Sequence, residues 1–206
     1  MTSVTVVTPW LDHPELARDY WLAMRAVDAT VLIIDNGSSP PLPNAVRCKA
    51  NLGFAPACNL GLRLATTDAV LFLNNDVAMT APNWIDGIRA GLEPGVLVGA
   101  HLRNDPHAAV DGIPLPYLDG WCLAGMRDEL LELGGFDESF DEPSYYGDND
   151  LCLRARAAGM TLREVPVGLR HLANVTAGHG EVVTSATRAN YERYAARARE
   201  LLGAAA

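Results

Sequence analysis

Lysine is nearly missing from this chain. Lys49 is the only one, and sixteen basic residues against twenty-five acidic ones give a formal charge of −9 over 206 residues. A nucleic-acid sleeve or a polybasic membrane anchor needs dense positive charge, so both are excluded. Close cysteine pairs are also missing. Cys48, Cys58, Cys122 and Cys152 stand far apart with no CxxC, which argues against a zinc site or disulfide framework and predicts buried free thiols in a reducing compartment. The N-terminus has neither a charged n-region nor a long apolar h-region, so no signal peptide is expected. No apolar run reaches the roughly 20 residues that span a bilayer. No G-x-G-x-x-G follows the first apolar run, and G-x-x-x-x-G-K-[ST], G-x-S-x-G and H-E-x-x-H are all absent. What is present is 49% hydrophobic and 20% charged residues, a composition that excludes wholesale disorder. A cytoplasmic enzyme or binding protein is the class that remains.

Apolar patterning organises the chain. Val4 to Val7, Val31 to Ile34 and Val70 to Leu73 read as buried strands, and Val46 to Cys48 as a shorter one. Helical composition fills Leu11 to Ala26, and Phe54, Cys58, Leu62 and Ala65 share one helical face. This alternation predicts an α/β fold with a largely parallel, doubly wound sheet. In the second half, Gly95 to Ala100 and Leu118 to Ala124 read as strands with little helix between them, so the sheet should become mixed. Arg127 to Leu133 and Asp150 to Ala158 are expected as helices, closed by Gly134-Gly135 and Gly159. Leu162 to Val165 and Gly168 to His171 are brief extended pieces. Glu181 to Leu202 is a final amphipathic helix with Tyr191, Tyr194, Ala198 and Leu201 in a stripe. No repeat or flexible linker divides the chain, which predicts a single domain.

In open α/β sheets, ligands bind beyond the carboxyl ends of the strands. Three such ends carry polar clusters: Thr8-Pro9, Asp35-Asn36-Gly37-Ser38 and Asn74-Asn75-Asp76. Each alone is explained by turn chemistry; three converging on one edge point to a site. Asp76 follows a strand directly, where a hard divalent cation finds a carboxylate with water and phosphate as co-ligands. Asp148 and Asp150 open a helix, for which an N-cap is the plain explanation. His171 ends an extended piece and is either a further ligand or a loop histidine.

These residues form an ordered series. Asn51-Leu-Gly-Phe-Ala-Pro-Ala-Cys-Asn-Leu-Gly61 followed by Val70-Leu-Phe-Leu-Asn-Asn-Asp-Val77 resembles the N-x-G-F-A-x-x-x-N-x-G … L-N-x-D signature of family 2 glycosyltransferases. Gly120-Trp-Cys-Leu123, Arg127, Gly134-Gly-Phe-Asp-Glu138, the run from Asp148 to Gly159, Val165-Pro166 and His171 resemble that family's second block. The resemblance covers about Val4 to His171 and is closest to the rhamnosyltransferase-like, polysaccharide-building branch. It implies a GT-A fold and inverting transfer of a sugar from a nucleotide-diphosphate donor to a hydroxyl-bearing acceptor, be it a saccharide, lipid-linked saccharide, protein or small metabolite. By position it implies a donor pocket of Thr8, Pro9, Asp35, Asn36, Asn59, Asn74, Asn75, Gly120 and Trp121, with Asp35 on the base. Asp76 and His171 would bind Mn²⁺ or Mg²⁺, and Asp148 would be the general base, kept ionised by the helix dipole. Asn74 departs from the first aspartate of the D-x-D element, and Gly147 stands where a glutamate usually precedes the base.

The departures leave open a donor-binding homologue without transfer activity. A sugar-1-phosphate nucleotidyltransferase would need a glycine-rich basic loop after the first strand, and Thr8-Pro9-Trp10-Leu11 has neither glycine nor charge. Residues 1–180 are expected as the catalytic domain and 181–206 as a helix packed on it or on a partner. The arginines Arg188, Arg193, Arg197 and Arg199 keep a homo-oligomeric or membrane-peripheral role for that helix open. The negative charge concentrates between Arg127 and Asp150, nine acids against one arginine, a segment expected to repel phosphate-rich acceptors unless cations intervene.

Overall fold

The computed structural model describes residues 2–140, 145–172 and 182–203, the side chains of 182–184 excepted. In chain order the elements are β1 (Val4–Trp10), α1 (Ala17–Arg25), β2 (Thr30–Asp35), β3 (Val46–Arg47), α2 (Phe54–Leu64), β4 (Ala69–Leu73), β5 (Val77–Met79), α3 (Asp86–Gly91) and β6 (Val96–Gly99). There follow β7 (Leu102–Arg103), β8 (Tyr117–Leu118), β9 (Cys122–Met126), α4 (Arg127–Glu132), α5 (Gly147–Ala157), β10 (Thr161–Glu164), β11 (Leu169–His171) and α6 (Val182–Gly203). Seven strands form one sheet in the order β10-β6-β9-β4-β1-β2-β3. Neighbours pair in parallel except at β9, which runs antiparallel to both β4 and β6. The α/β class, the single domain and the mixed second half expected from the sequence are all present.

Period-two patterning makes the sheet a sandwich filling. On β1 and β4, Val4, Val6, Trp10, Ala69, Leu71 and Leu73 join the core under α1 and α3, with Tyr20, Trp84 and Ile88. Val7, Val70 and Phe72 join the opposite core under α2, α4 and α5, with Cys58, Leu62, Leu130 and Leu151. Both faces of β4 are covered, so all five of its residues are buried. On the second face α2 lies very close to β1: a Cβ at Gly61 would stand 2.2 Å from Val7 Cγ1.

Several boundaries differ from the sequence reading. The first helix begins only at Ala17, because Asp12 and His13 have positive φ and Pro14–Leu16 forms a separate 3-10 turn. The expected strand Leu118 to Ala124 is two strands, β8 and β9, interrupted by a turn at Asp119–Trp121. The helix expected from Asp150 starts at Gly147, which puts Asp148 inside its first turn. Tyr146, with φ of 70°, occupies the capping position, so Asp148 is not the N-cap. The strand β5 and the helix α3 were not legible. Glu181, and with it the expected 180/181 boundary, lies outside the described residues.

The last helix covers α5. Tyr194, Ala195 and Ala198 bury against Leu153, Phe140, Val110 and Leu115, and Tyr194 donates its hydroxyl to the Ala108 carbonyl at 3.0 Å. Arg199 pairs with Asp111. Among the described residues, no helix is long and apolar enough to cross a membrane.

Candidate active site

Strand order reverses between β2-β1 and β1-β4, which puts a crevice beyond the carboxyl ends of β1 and β4. The antiparallel β9 begins where β4 ends, since Leu73 pairs with Cys122. That register carries Gly120 and Trp121 to the same edge as Asn74, whose amide donates to the Trp121 carbonyl at 2.9 Å. The small β5–β11 ribbon is antiparallel with His171 opposite Val77, which sets His171 beside Asp76. Residues nearly a hundred positions apart are thus brought together by two strand registers.

At this edge His171 Nε2 lies 3.0 Å from Asp76 Oδ1 and 3.4 Å from Asn74 Nδ2. Asp76 is almost wholly buried, while His171 is one-quarter exposed and opens the pair to solvent. The imidazole stacks on the Trp121 indole with ring centroids 5.1 Å apart and planes 3° from parallel. A carboxylate oxygen and an imidazole nitrogen at this separation are a donor set for a divalent cation. Among the described residues no cluster of three or more His, Cys, Asp or Glu side chains could enclose a metal. A cation here therefore needs further oxygens from water or from a bound ligand.

Asp148 sits half-buried on the other side of the Gly120–Trp121 turn. The Gly120 amide donates to Asp148 Oδ2 at 2.9 Å, and the Asn149 amide to Oδ1 at 3.0 Å. Gly120 lets the turn approach closely, because a Cβ there would crowd Asp148, at 3.1 Å from its Cβ and 3.3 Å from Oδ2. Burial pushes the Asp148 carboxyl up to about 6, against the two amide hydrogen bonds and with a further push from the charge of Asp119. Desolvation outweighs the helix dipole that was expected to favour the anion, yet at about 6 the carboxyl still loses its proton below neutral pH.

Other expected site residues are held in place by the fold. Asp35 is fully buried and accepts from the Ser38 and Leu42 amides and from Arg47 Nη1 at 2.6 Å. Burial opposes its charge, yet these hydrogen bonds hold it below the usual carboxylate range. Its carboxylate organises the loop that follows β2 and is closed off from solvent. Asn36 bonds Asn51, Leu52 and Gly53, tying that loop to the start of α2. Thr8 bonds the Tyr20 hydroxyl beneath α1, and Pro9 is half-buried beside it. Asn75 is buried at the end of β4. Asn59 clamps both the amide and the carbonyl of Phe136, at 2.9 and 2.8 Å, and reaches Glu138. It borders an open groove of about 370 Å³ whose lining includes none of Asp76, Trp121, Asp148 and His171. The site that converges is therefore Asn74, Asp76, Gly120, Trp121, Asp148 and His171, with Asp35, Asn36 and Asn59 framing it.

Two features escaped the sequence. Asp119 is bound bidentately by Arg103 and approached by His101 at 3.2 Å. Asp150 is fully buried between Arg154 and Arg197. The Asp150–Arg154 spacing of four residues was a readable signal; Arg103 and Arg197 gave none.

No protein-family model matches the chain. It is 25% identical over 205 residues to the pre-mycofactocin glycosyltransferase of Mycobacterium tuberculosis, a match that takes in 81% of this chain and 42% of that protein. The chain therefore spans less than half the length of the curated relatives it matches. Among solved structures, it superposes on the mannosyltransferase PcManGT of Pyrobaculum calidifontis, in complex with GDP-Man and Mn²⁺. The TM-score is 0.63 at 19% identity, over 80% of this chain and 55% of that one. A mutant of Drosophila β1,4-galactosyltransferase 7 with manganese, UDP-Gal and xylobiose matches with a TM-score of 0.56 at 14% identity, over 84% of this chain and 72% of that one. The chain has the GT-A fold. The converging residues lie at the carboxyl edge of this GT-A sheet, and the antiparallel β9 supplies the turn that joins them.

Proposed function

We propose that this chain is a metal-dependent, inverting glycosyltransferase domain that moves a sugar from a nucleotide-diphosphate donor to an acceptor hydroxyl. The observation that carries it is the Asp119–Gly120–Trp121 turn. It holds a half-buried carboxylate, Asp148, on one side and the Asp76–His171 pair on the other. The glycosyltransferase relative and the metal and nucleotide sugars bound by structural neighbours support the same reading. The resemblance to family 2 gives the inverting stereochemistry.

In this reading Asp76 and His171 would hold Mn²⁺ or Mg²⁺, which when bound would supply positive charge to offset the negative charge developing on the leaving diphosphate. Asp148 accepts the proton of the attacking hydroxyl, and the Gly120 and Asn149 amides keep its two oxygens oriented for that transfer. A carboxyl raised to about 6 is a stronger base than an ordinary aspartate and is still mostly ionised at neutral pH. Trp121 fixes the plane of His171 by stacking, so the imidazole nitrogen stays turned toward Asp76. Asp35, Asn36 and Asn59 act by shaping the loops at the edge of the donor pocket. Residues 1–180 are the catalytic domain in this scheme, and α6 braces it. The acceptor is a hydroxyl-bearing saccharide, lipid-linked saccharide, protein or small metabolite.

Thermal unfolding with a panel of nucleotide sugars and Mn²⁺ tests the donor, since a ligand that binds only the folded state raises its stability. One nucleotide sugar should raise the melting temperature in the presence of Mn²⁺. Asp76→Ala should lose most of that increment. If no nucleotide stabilises the wild-type protein, or if the Mn²⁺-dependent increment survives in Asp76→Ala, the assignment fails.

A further inference from the structure

The Asp119 side chain is only 16% exposed, yet it meets two basic side chains. Arg103, at the end of β7, donates Nε and Nη2 to it at 2.9–3.0 Å in a fork geometry that fixes the carboxylate in one plane. His101 Nδ1 approaches the same carboxylate at 3.2 Å, and the His101 ring meets the Trp121 indole edge-on at 5.7 Å. The next residue after Asp119 donates its amide to Asp148 Oδ2. Asp119 and Asp148 are therefore like charges on either side of one peptide, and the charge of Asp119 acts on Asp148. Turn aspartates commonly bond their own backbone, whereas the Asp119 carboxylate bonds the Arg103 and His101 side chains.

We propose that Asp119, clamped by Arg103 and His101, is a positioning residue for Asp148: it fixes the Gly120 amide against the carboxylate, and its charge, partly offset by Arg103, tunes how tightly Asp148 holds a proton. The inference rests on Asp148 being the base and adds a device that sets the pH range over which that base works. The other titratable groups around Asp148 are Tyr117 on β8 and Cys152 one turn along α5, both neutral at working pH because burial pushes each of them up. Tyr117 donates its hydroxyl to Asp105 at 3.2 Å. Arg154 and Arg197 on α5 and α6 are engaged by Asp150 instead. Arg103 is therefore the cation whose removal changes the balance at Asp119.

Opposite substitutions should move the base in opposite directions. Removing Arg103 leaves the Asp119 charge uncompensated, which disfavours a second carboxylate nearby. Neutralising Asp119 removes the repulsion. The experiment follows the protonation of Asp148 by infrared difference spectroscopy against Asp148→Asn, from pH 4 to 9 with a chelator present. It is run in Arg103→Gln, Arg103→Lys and Asp119→Asn. The series is repeated with His101→Gln to remove the second titratable group on Asp119. The midpoint should rise by about 0.5–1 unit in Arg103→Gln and fall by a similar amount in Asp119→Asn. Arg103→Lys, which keeps the charge and loses the fork, should stay near wild type. The acid limb of the transfer rate should shift in the same order.

Midpoints that coincide, or that move the same way in Arg103→Gln and Asp119→Asn, overturn the inference, because a merely structural turn would respond to both losses alike. The infrared reading does not depend on turnover. Split midpoints without transfer from any nucleotide sugar would sink the transferase reading and leave the coupling standing. Transfer with unsplit midpoints would do the reverse.

Discussion

Two forces oppose each other at Asp148. The N-terminal turn of α5 and two backbone amides favour the anion, while burial disfavours it, and burial wins, lifting the carboxyl to about 6. In the proposed mechanism this gives an acid limb: the base would be lost as pH falls through about 6, so the transfer rate should drop roughly tenfold per pH unit below that point. The stability consequence has the opposite sense. A carboxyl with a raised value binds its proton more tightly folded than unfolded, so its contribution is largest below the unfolded value and is lost as pH rises through about 6. Asp148→Asn imitates the neutral acid. It should abolish transfer with little change in nucleotide affinity, and should remove the decline in stability that the wild-type carboxyl causes between pH 4 and pH 7.5. Urea unfolding at the two pH values, with calorimetric nucleotide binding, checks this. Asp148 was legible as a residue, but its chemical character was not, because desolvation depends on what packs over it.

At the scale of elements, α5 carries Asp148 and is held from behind by α6. Asp150, fully buried, accepts from Arg154 Nε at 2.8 Å and from Arg197 Nη1 at 2.5 Å, and Arg197 also reaches Asp137 at 2.7 Å. Removing one partner of a buried ion pair leaves an uncompensated charge. Arg154 still faces Asp150 and Arg197 is partly exposed, so Arg197→Ala should cost about 2 kcal/mol in urea unfolding, less than the roughly 3–5 kcal/mol of a fully buried pair. An unchanged midpoint would mean that α6 braces α5 through its apolar contacts alone. The stripe of Tyr191, Tyr194, Ala198 and Leu201 was readable as one face of a helix. Which surface it covers was not, since periodicity gives a buried face without naming its partner. The same limit explains β5 and α3. Three and six residues are too short to show a period, and they exist because β11 and the core beneath α3 receive them.

Across the whole molecule, all four cysteines are buried thiols outside any disulfide, and burial pushes Cys122 and Cys152 up to about 12. A thiol reagent at pH 8 should therefore label almost none of them in the native protein and all four after denaturation. Rapid labelling of the native state would mean the sheet core opens. Charge, too, has to be read on the assembled molecule. The acidic segment from Arg127 to Asp150 looks like a single negative field along the chain, yet Arg197 neutralises Asp137 and shares Asp150 with Arg154. Asp148 bonds backbone amides instead. The repulsion of phosphate expected from the linear count is therefore weaker where α5 and α6 meet.

The sequence by itself determined the α/β layering, because apolar runs and helical stripes are local patterns that burial enforces wherever they fall. It also marked the polar strand ends Thr8-Pro9, Asp35 to Ser38 and Asn74 to Asp76, since polar clusters after buried strands are local as well, while Asp148 and His171 were given site roles by the family resemblance. Only the tertiary structure decided which of those residues meet. Leu73 opposite Cys122 and Val77 opposite His171 are registers between distant strands, and no local pattern encodes them. Folding also gave Asp35, Asn36 and Asn59 hydrogen-bond partners of their own and brought Asp119 to its arginine. Each of these outcomes depends on burial and on partners that the chain acquires only once it is folded.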